Sequence, residues 1–556
     1  MNKKTSSMLL KIIPLLVFIV IGSVLRLTNL NGVPSILNRD EAALGYNAYL
    51  LSKTGMDEWS KPWPVVLESF GDFKLPGYPL FLVGLFSFLP LEDWVVRLPS
   101  ALAGILLIPL GFYFARKLDM SVQLSLIVSA LIATAPVFLF YSRIAFEANV
   151  ALALFVPAIA LLFSKKTTFK SDTLSAFLLL ASIFTYNAPL LMLPFIVFAI
   201  VQHRGWNNLS AWMPASALLL AVFMITMTIL MPITAQKQGI TIFEDETAWS
   251  EWNTYRENIP VILQTTLGSR PAYWTIRIAK NFISGFSLQF LVEKGGSHPW
   301  HTLPGWGHIF LAQYILCMIG IVSALIMSMR EGIIFLYSKN LVSSKNIMRI
   351  PFQVIPQKIW QKHRSSYIIA LYLLAVSLIP ASITVDAPHA TRSLFFFFLT
   401  SIFAVIGLHI LLSWTQTLFS KKHSKAITFL LVLLFFSSIV VSSIQYNTYY
   451  FKVYSNTMPQ SLQSGYNHLI RFISTEHPND QVAVVDQEGY HYILTAWYSK
   501  MDSAVFFDTV VKQNPNQIGF RYGERVGNYH FIAKSSDRVE NETILLEWSD
   551  GKWTIR

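Results

Sequence analysis

The sequence predicts a mainly α-helical, polytopic membrane protein. It is expected to have a transmembrane bundle of roughly 11 spans, a long first external loop of interfacial helices, and a small C-terminal α/β external domain. Three observations carry this. Of 556 residues, 53% are apolar and only 13% charged, with a mean hydropathy of +0.47, whereas an ordinary soluble domain is about 25% charged. Apolar stretches suited to a bilayer core of about 30 Å recur through residues 1–445. Residues 446–556, by contrast, are polar, with 10 Lys/Arg against 12 Asp/Glu. Packed as soluble domains, such a chain would leave most of its surface greasy, which excludes a soluble enzyme, a disordered chain and a nucleic-acid binder. A single cysteine, Cys317, excludes an internal disulfide framework and any cysteine-based zinc site.

Element by element, spans are expected at Leu9–Arg26, Leu98–Ala115, Leu124–Phe140, Val150–Phe163, Leu174–Tyr186 and Leu190–Val201. They continue with Trp212–Met231, Ile309–Met327, Tyr367–Ile383, Leu394–Leu412 and Ile427–Ile444. Leu80–Leu89 is apolar but short, and reads as an interfacial helix. Threading the spans alternately collects 19 Lys/Arg against three acids (Asp119, Asp172, Glu331) on one side. By the positive-inside rule that side is cytoplasmic, so the net charge of +12 is a topology signal and asks for no nucleic-acid partner. The N-terminus is then inside, with Met1–Arg26 a retained signal-anchor, and the C-terminus outside. Two long external loops follow, 29–97 and 232–308. In the tail, Gln481–Asp486, Ala504–Asp508, Tyr529–Ala533 and Thr543–Trp548 read as strands.

Long ordered loops on a membrane bundle carry function. The first opens with Asn38-Arg39-Asp40-Glu41, followed by an amphipathic stretch Ala42–Leu51, then Phe70-Gly71-Asp72-Phe73-Lys74-Leu75-Pro76-Gly77. Charges this close to a bilayer are costly unless they pair or meet a charged ligand. Asp40 could simply cap the helix, but capping leaves Glu41 and the Asp72/Lys74 cluster unexplained. Arg143 and Glu147, four apart, could pair on one helix face.

These residues resemble the first external loop of the glycosyltransferase C superfamily, in particular the bacterial protein O-mannosyltransferase and aminoarabinose-transferase-like branch, which depends on polyprenyl-phosphate sugars. The resemblance rests on Asp40-Glu41 after the first span, Gly45-Tyr46-Asn47-Ala48-Tyr49, and Ser69–Pro76. Tyr141-Ser142-Arg143-Ile144-Ala145-Phe146-Glu147 and Glu293–His298 with Pro304-Gly305-Trp306-Gly307 agree with later segments of the family. It covers about the first 400 residues. Relatives often read Lys-Pro-Pro where this chain has Lys74-Leu75-Pro76, and some have more spans.

The resemblance implies an inverting glycosyltransferase domain over 1–445, and the polar composition of 446–556 implies a soluble extracytoplasmic domain. It implies transfer of a sugar from a polyprenyl-phosphate carrier to a hydroxyl of a lipid, surface glycan or protein at the outer face of the cell membrane. Asp40 is the expected catalytic base, its pKa raised by partial desolvation, with Glu41 assisting. Lys74, Arg143 and Arg392 are expected to hold the phosphate; Asp72, Glu147, His298 and His389 complete the expected substrate-binding set. No cofactor is required by the pattern, although relatives differ in their use of a divalent ion. His298, His301 and His308 are not spaced as a helical metal-ligand set. Trp249, Trp252, Trp274, Trp300 and Trp306 fit either an interfacial belt or sugar stacking. No nucleotide-binding glycine motif or His-Glu-x-x-His occurs. The alternative class is a transporter or flippase of a lipid-linked or glycan substrate, but such proteins place charges near the bilayer midplane and often show repeats, neither of which is visible here.

Overall fold

The computed structural model describes residues 3–164, 168–205, 224, 241–243, 246–296, 301–338, 357–454, 464–515 and 520–556. The expected span Trp212–Met231 lies outside the described residues apart from Met224, as do His298 and Trp300.

Among the described residues, helices occupy the expected apolar runs, one of them broken in two. In chain order they are α1 (Lys3–Leu27), α2 (Arg39–Thr54), α3 (Gly77–Phe86), α4 (Asp93–Lys117), α5 (Val122–Thr134), α6 (Pro136–Phe140), α7 (Glu147–Leu162), α8 (Phe169–Ile183) and α9 (Ala188–Arg204). After these come α10 (Glu246–Glu257), α11 (Arg270–Ser284), α12 (Leu311–Ser338), α13 (Gln357–Ser377), α14 (Ile379–Ser382), α15 (Leu394–Leu418) and α16 (Lys421–Thr448). The expected single span Leu124–Phe140 is broken: Ala135 sits at β-region φ/ψ, as a residue preceding proline prefers, and Pro136 restarts the chain as α6. Among the described residues, five helices are long and apolar enough to cross a membrane, and α5, α7 and α9 are shorter apolar helices. The expected count of about 11 spans is therefore not reproduced by length and composition alone.

The bundle packs around α15, whose Phe395–Phe398 run is buried. Where α12 crosses α15 the backbones meet at glycines: a Cβ on Gly407 would collide with the Leu316 carbonyl oxygen, and one on Gly320 with that of Phe403. Small residues permit such close crossings in membranes.

The first external loop holds α2, a two-stranded hairpin β1 (Leu67–Ser69) and β2 (Asp72–Lys74), and α3. Phe70 and Gly71 in its turn both have positive φ (58° and 84°), the pairing that a two-residue type I′ hairpin demands. The C-terminal unit carries α17 (Tyr466–Glu476), β3 (Val482–Val485), α18 (His491–Tyr498), α19 (Ser503–Thr509), β4 (Val511–Lys512), β5 (Gly523–Val526), β6 (Tyr529–Ile532), β7 (Ile544–Ser549) and β8 (Lys552–Ile555). Its six-stranded sheet runs β4-β5-β6-β3-β7-β8, with β3 parallel to β6 and β7 and the outer pairs antiparallel. Three of the four expected strands are present. The fourth, Ala504–Asp508, is helix α19: the Asp502 side chain caps it by accepting from the Ala504 N–H, and Phe506 buries its inner face.

This unit is clamped to the first external loop. Buried Glu58 accepts from Lys512 Nζ and Tyr492 Oη, each at 2.6 Å. Buried Asp93 accepts from Trp497 Nε1 at 2.8 Å and Tyr498 Oη at 3.1 Å. Arg521 pairs with Glu68, and its backbone N–H donates to the Phe70 carbonyl at the hairpin tip at 3.2 Å.

Candidate active site

Helix α2 begins with a capping box. The Asn38 side chain accepts from the Glu41 N–H at 2.9 Å, and Glu41 Oε2 accepts from the Asn38 N–H at 3.0 Å, satisfying two otherwise orphaned donors. Asn38, not Asp40, is the cap. The box turns Glu41 inward, where its carboxylate accepts from Arg97 Nε at 3.1 Å and from the Ala145 N–H at 2.8 Å. Asp40, one residue earlier and about 100° round the helix, is half exposed.

Glu41 and Arg143, expected in catalytic and phosphate-holding roles, are not among the residues that line the cavity described below. Arg97 donates to the carbonyls of Leu30, Pro34 and Ile36. Arg143 donates to those of Leu25, Arg26, Asn29 and Val33 and lies over the Phe451 ring at 4.6 Å. The chain leaving α1 exposes several carbonyls inside the protein, and buried carbonyls need donors; two arginines supply them. Arg143 therefore does not pair with Glu147. Both arginines tie down residues 25–36, which lead directly to Asp40.

Asp40 opens into a cavity of about 320 Å³. Of the expected residues, Asp40, Lys74, Glu147, His389 and Arg392 all line it, although they come from α2, the β hairpin, the start of α7 and the turn before α15. Lys74 Nζ lies 3.0 Å from Asp40 Oδ1. The Asp40 side chain is 45% exposed and the Lys74 side chain 12%, so the expected desolvation of Asp40 is not what the structure provides; a neighbouring cation is. Arg392 pairs with Asp386, and His389 Nε2 lies 3.3 Å from the same carboxylate. Asp72 pairs with Ser69 in the hairpin ladder, and its side chain lies outside the described part.

Sequence reasoning weighed His301 as a metal ligand or a substrate-contacting histidine but left it out of the expected site, and it missed several other lining groups. His301 Nδ1 is 3.2 Å from Tyr141 Oη and 3.1 Å from Thr391 Oγ1, and its ring stands 4.7 Å from that of His389. Arg39 contributes from the first residue of α2, and Phe520 and Tyr522 from the C-terminal unit, their rings parallel within 15° at 6.3 Å. Arg39 adjoins the Asp-Glu pair and could have been found there; nothing local marks Phe520 or Tyr522. His308 lies apart, buried between Phe290 and Phe397 at 4.8 and 4.5 Å. Among the described residues no three His, Cys, Asp or Glu side chains gather as a metal site.

The span ends thus supply Glu147, Tyr186, Thr391 and Arg392, the first loop Asp40 and Lys74, and the C-terminal unit two aromatic rings. Such a cavity can hold an anion against Lys74 and Arg392, and it can accept a proton at Asp40 once a competing anion engages Lys74.

No protein-family model matches the sequence, and no curated protein matches it. Solved structures do. The chain is similar to the archaeal oligosaccharyltransferase AglB from Archaeoglobus fulgidus, solved with an inhibitory peptide and a dolichol-phosphate. The TM-score is 0.52 at 11% identity, over 88% of this chain and 63% of that one. The complex of the same archaeal enzyme with Zn and sulfate gives 0.52 at 12% identity, over 87% and 61%. ArnT from Cupriavidus metallidurans bound to undecaprenyl phosphate aligns over 88% of this chain and 87% of its own, with a TM-score of 0.47 at 12% identity. The chain spans less than two thirds of the archaeal enzyme's length. The fold is thus that of the archaeal oligosaccharyltransferase, and five of the described helices are long and apolar enough to cross a membrane. The sequence resemblance and the structural likeness to the archaeal enzyme point to the same fold.

Proposed function

We propose that the protein is an integral-membrane inverting glycosyltransferase, moving a sugar from a polyprenyl-phosphate carrier to a hydroxyl acceptor at the extracytoplasmic face of the cell membrane. Residues 1–445 are its catalytic domain and 446–556 its extracytoplasmic domain, with the N-terminus cytoplasmic. One observation carries the reading: the Asp40 carboxylate and the Lys74 ammonium, 3.0 Å apart, share a cavity with Arg392 at the start of an apolar span. A lipid-borne phosphate sugar presents that geometry with an anion at the membrane edge and a sugar beyond it. That the archaeal neighbour was solved with a dolichol-phosphate agrees with the reading.

In the reaction, the donor phosphate draws Lys74 and Arg392, and Asp40 is released to act as base. Asp40 takes the acceptor hydroxyl proton as that oxygen forms a bond to the anomeric carbon. The anomeric carbon–phosphate oxygen bond breaks, and the leaving polyprenyl phosphate keeps the electron pair beside Lys74 and Arg392. One displacement inverts the centre, so no second nucleophilic carboxylate is needed.

The test is transfer by the full chain in nanodiscs from a panel of labelled polyprenyl-phosphate sugars. Asp40→Asn should lower the rate by about two to four orders of magnitude with carrier binding retained. Transfer at the wild-type rate by that variant removes the base assignment. Uptake of labelled solute into proteoliposomes without covalent product would replace the whole reading with transport.

A further inference from the structure

Helices α10 and α11 form a hairpin whose tip is apolar and uncovered. Val261 and Ile262, at 82% and 85% exposure, are the most exposed large hydrophobic side chains among the described residues. Leu263 and Leu267 beside them are exposed too, and along α11 so are Ile276 and Ile283, seven residues apart and therefore on one face. In water such a surface is unfavourable by roughly 25 cal/mol for every Å² left exposed.

Behind the tip stands a collar of indoles and arginine. Trp252 Nε1 donates to the Gly268 carbonyl at 3.1 Å, and the Arg270 guanidinium lies 3.8 Å from the Trp249 ring centre and 4.6 Å from that of Trp252. Tryptophan with arginine is the composition of a membrane interface, where the ring sits at headgroup depth and the cation meets phosphate. The base of the hairpin is fixed to the bundle. The Ile242 N–H donates to the Ile383 carbonyl at 3.1 Å, and Asn281 Nδ2 to the Ser382 carbonyl at 3.0 Å. Ser382 ends one of the membrane-length apolar helical stretches, so the hairpin springs from the bilayer boundary at the same end of the bundle as the cavity. Its charges are nearly balanced, Arg256, Arg270, Arg277 and Lys280 against Glu246, Glu251 and Glu257.

We infer that this hairpin lies on the leaflet at the cavity end and buries Val261, Ile262 and Leu263 among the acyl chains of the bilayer that the protein spans. The near balance of charge makes the attachment one of apolar area rather than of anionic-lipid attraction. It anchors the chain that leads on to Phe290, which is buried in the bundle. The inference stands independently of the reaction proposed above.

The experiment uses the full chain, with Cys317→Ser and Ile262→Cys, nitroxide-labelled and reconstituted in phosphatidylcholine vesicles containing some phosphatidylglycerol. Power saturation is measured with oxygen and with a water-soluble nickel chelate. A label at Asp550→Cys, on the exposed β7–β8 turn, is the aqueous control, and Val261→Cys is a second test site. The oxygen-to-nickel accessibility ratio at 262 should exceed that at 550 by about fivefold or more. It should be unchanged between about 0.1 and 1 M salt, a range that screens charge attraction. Equal nickel access at 262 and 550 overturns the inference. So does protection of 262 from both reagents, which would mark a protein surface, a second copy or a partner, over the tip.

Discussion

Replacing Glu41 by alanine separates a structural carboxylate from a catalytic one. Glu41 and Arg97 are buried, and Glu41 is the counter-charge to a guanidinium otherwise bonded only to carbonyls. Removing one partner of a buried pair costs about 3–5 kcal/mol. The same carboxylate completes the capping box, worth about 1 kcal/mol, and accepts from Ala145, whose orphaned N–H costs about 1–3 kcal/mol. These terms share one side chain and do not simply add, so a loss of roughly 4 kcal/mol or more is expected. Glu41→Gln keeps an acceptor oxygen while losing the charge, and should fall between, near 2 kcal/mol. Asp40→Asn, at a half-exposed pair, should stay within about 1 kcal/mol of wild type. Cys317 provides the assay: it is the sole, buried thiol, and a thiol-reactive fluorophore reports its exposure as detergent-solubilised protein is heated. Thermal exposure should come far earlier in Glu41→Ala and almost unchanged in Asp40→Asn. A Glu41→Ala variant that unfolds with wild type yet has lost transfer would refute the assignment and return Glu41 to the chemistry.

Lys74→Ala should weaken binding of polyprenyl phosphate about tenfold, the loss of one charge-assisted contact, read by titration of the carrier into nanodisc-held protein; unchanged affinity removes Lys74 from the phosphate site. Tyr522→Ala should raise the acceptor KM several-fold, as one aromatic face is worth about 1 kcal/mol, with kcat far less affected; an unmoved KM places the ring outside the acceptor's path. Acid should loosen the hairpin from the C-terminal unit. Burial alone would raise the Glu68 carboxyl, but hydrogen bonds from Lys61 and Arg521 outweigh it and hold the group below its ordinary 4.5. A depressed carboxylate contributes stability that is complete above 4.5 and lost as pH falls through the lower folded value. Protection of 67–74 against hydrogen exchange, relative to the intrinsic rate at each pH, should therefore fall as pH drops below 4.5, and Glu68→Gln should show that lower protection already at neutral pH; a pH-independent hairpin in wild type would contradict the pairing.

What the chain determined by itself was local. Hydropathy placed the described apolar helices because a segment that crosses a membrane must hide its own backbone within one continuous apolar helix. Helix α2 was legible because Asn38 and Glu41, three apart, satisfy its first donors without help from elsewhere. Asp40 and Lys74 could be nominated because charge beside an apolar run is costly wherever that run lies, and the resemblance to the family added His389 and Arg392. Other matters lay beyond the sequence because their causes are distant in the chain. Glu41 is held away from the cavity that Asp40 lines because Arg97, 56 residues on, pairs with it. Arg143 serves carbonyls because the chain folds four of them around it. Ala504–Asp508, β-like in composition, is helical because Asp502 caps it and the core takes Phe506. Phe520 and Tyr522 join Asp40 across some 480 residues of sequence only because Glu58, Glu68 and Asp93 grip the C-terminal unit through buried charge. Burial decides such pairings, and burial exists only once the whole chain has folded.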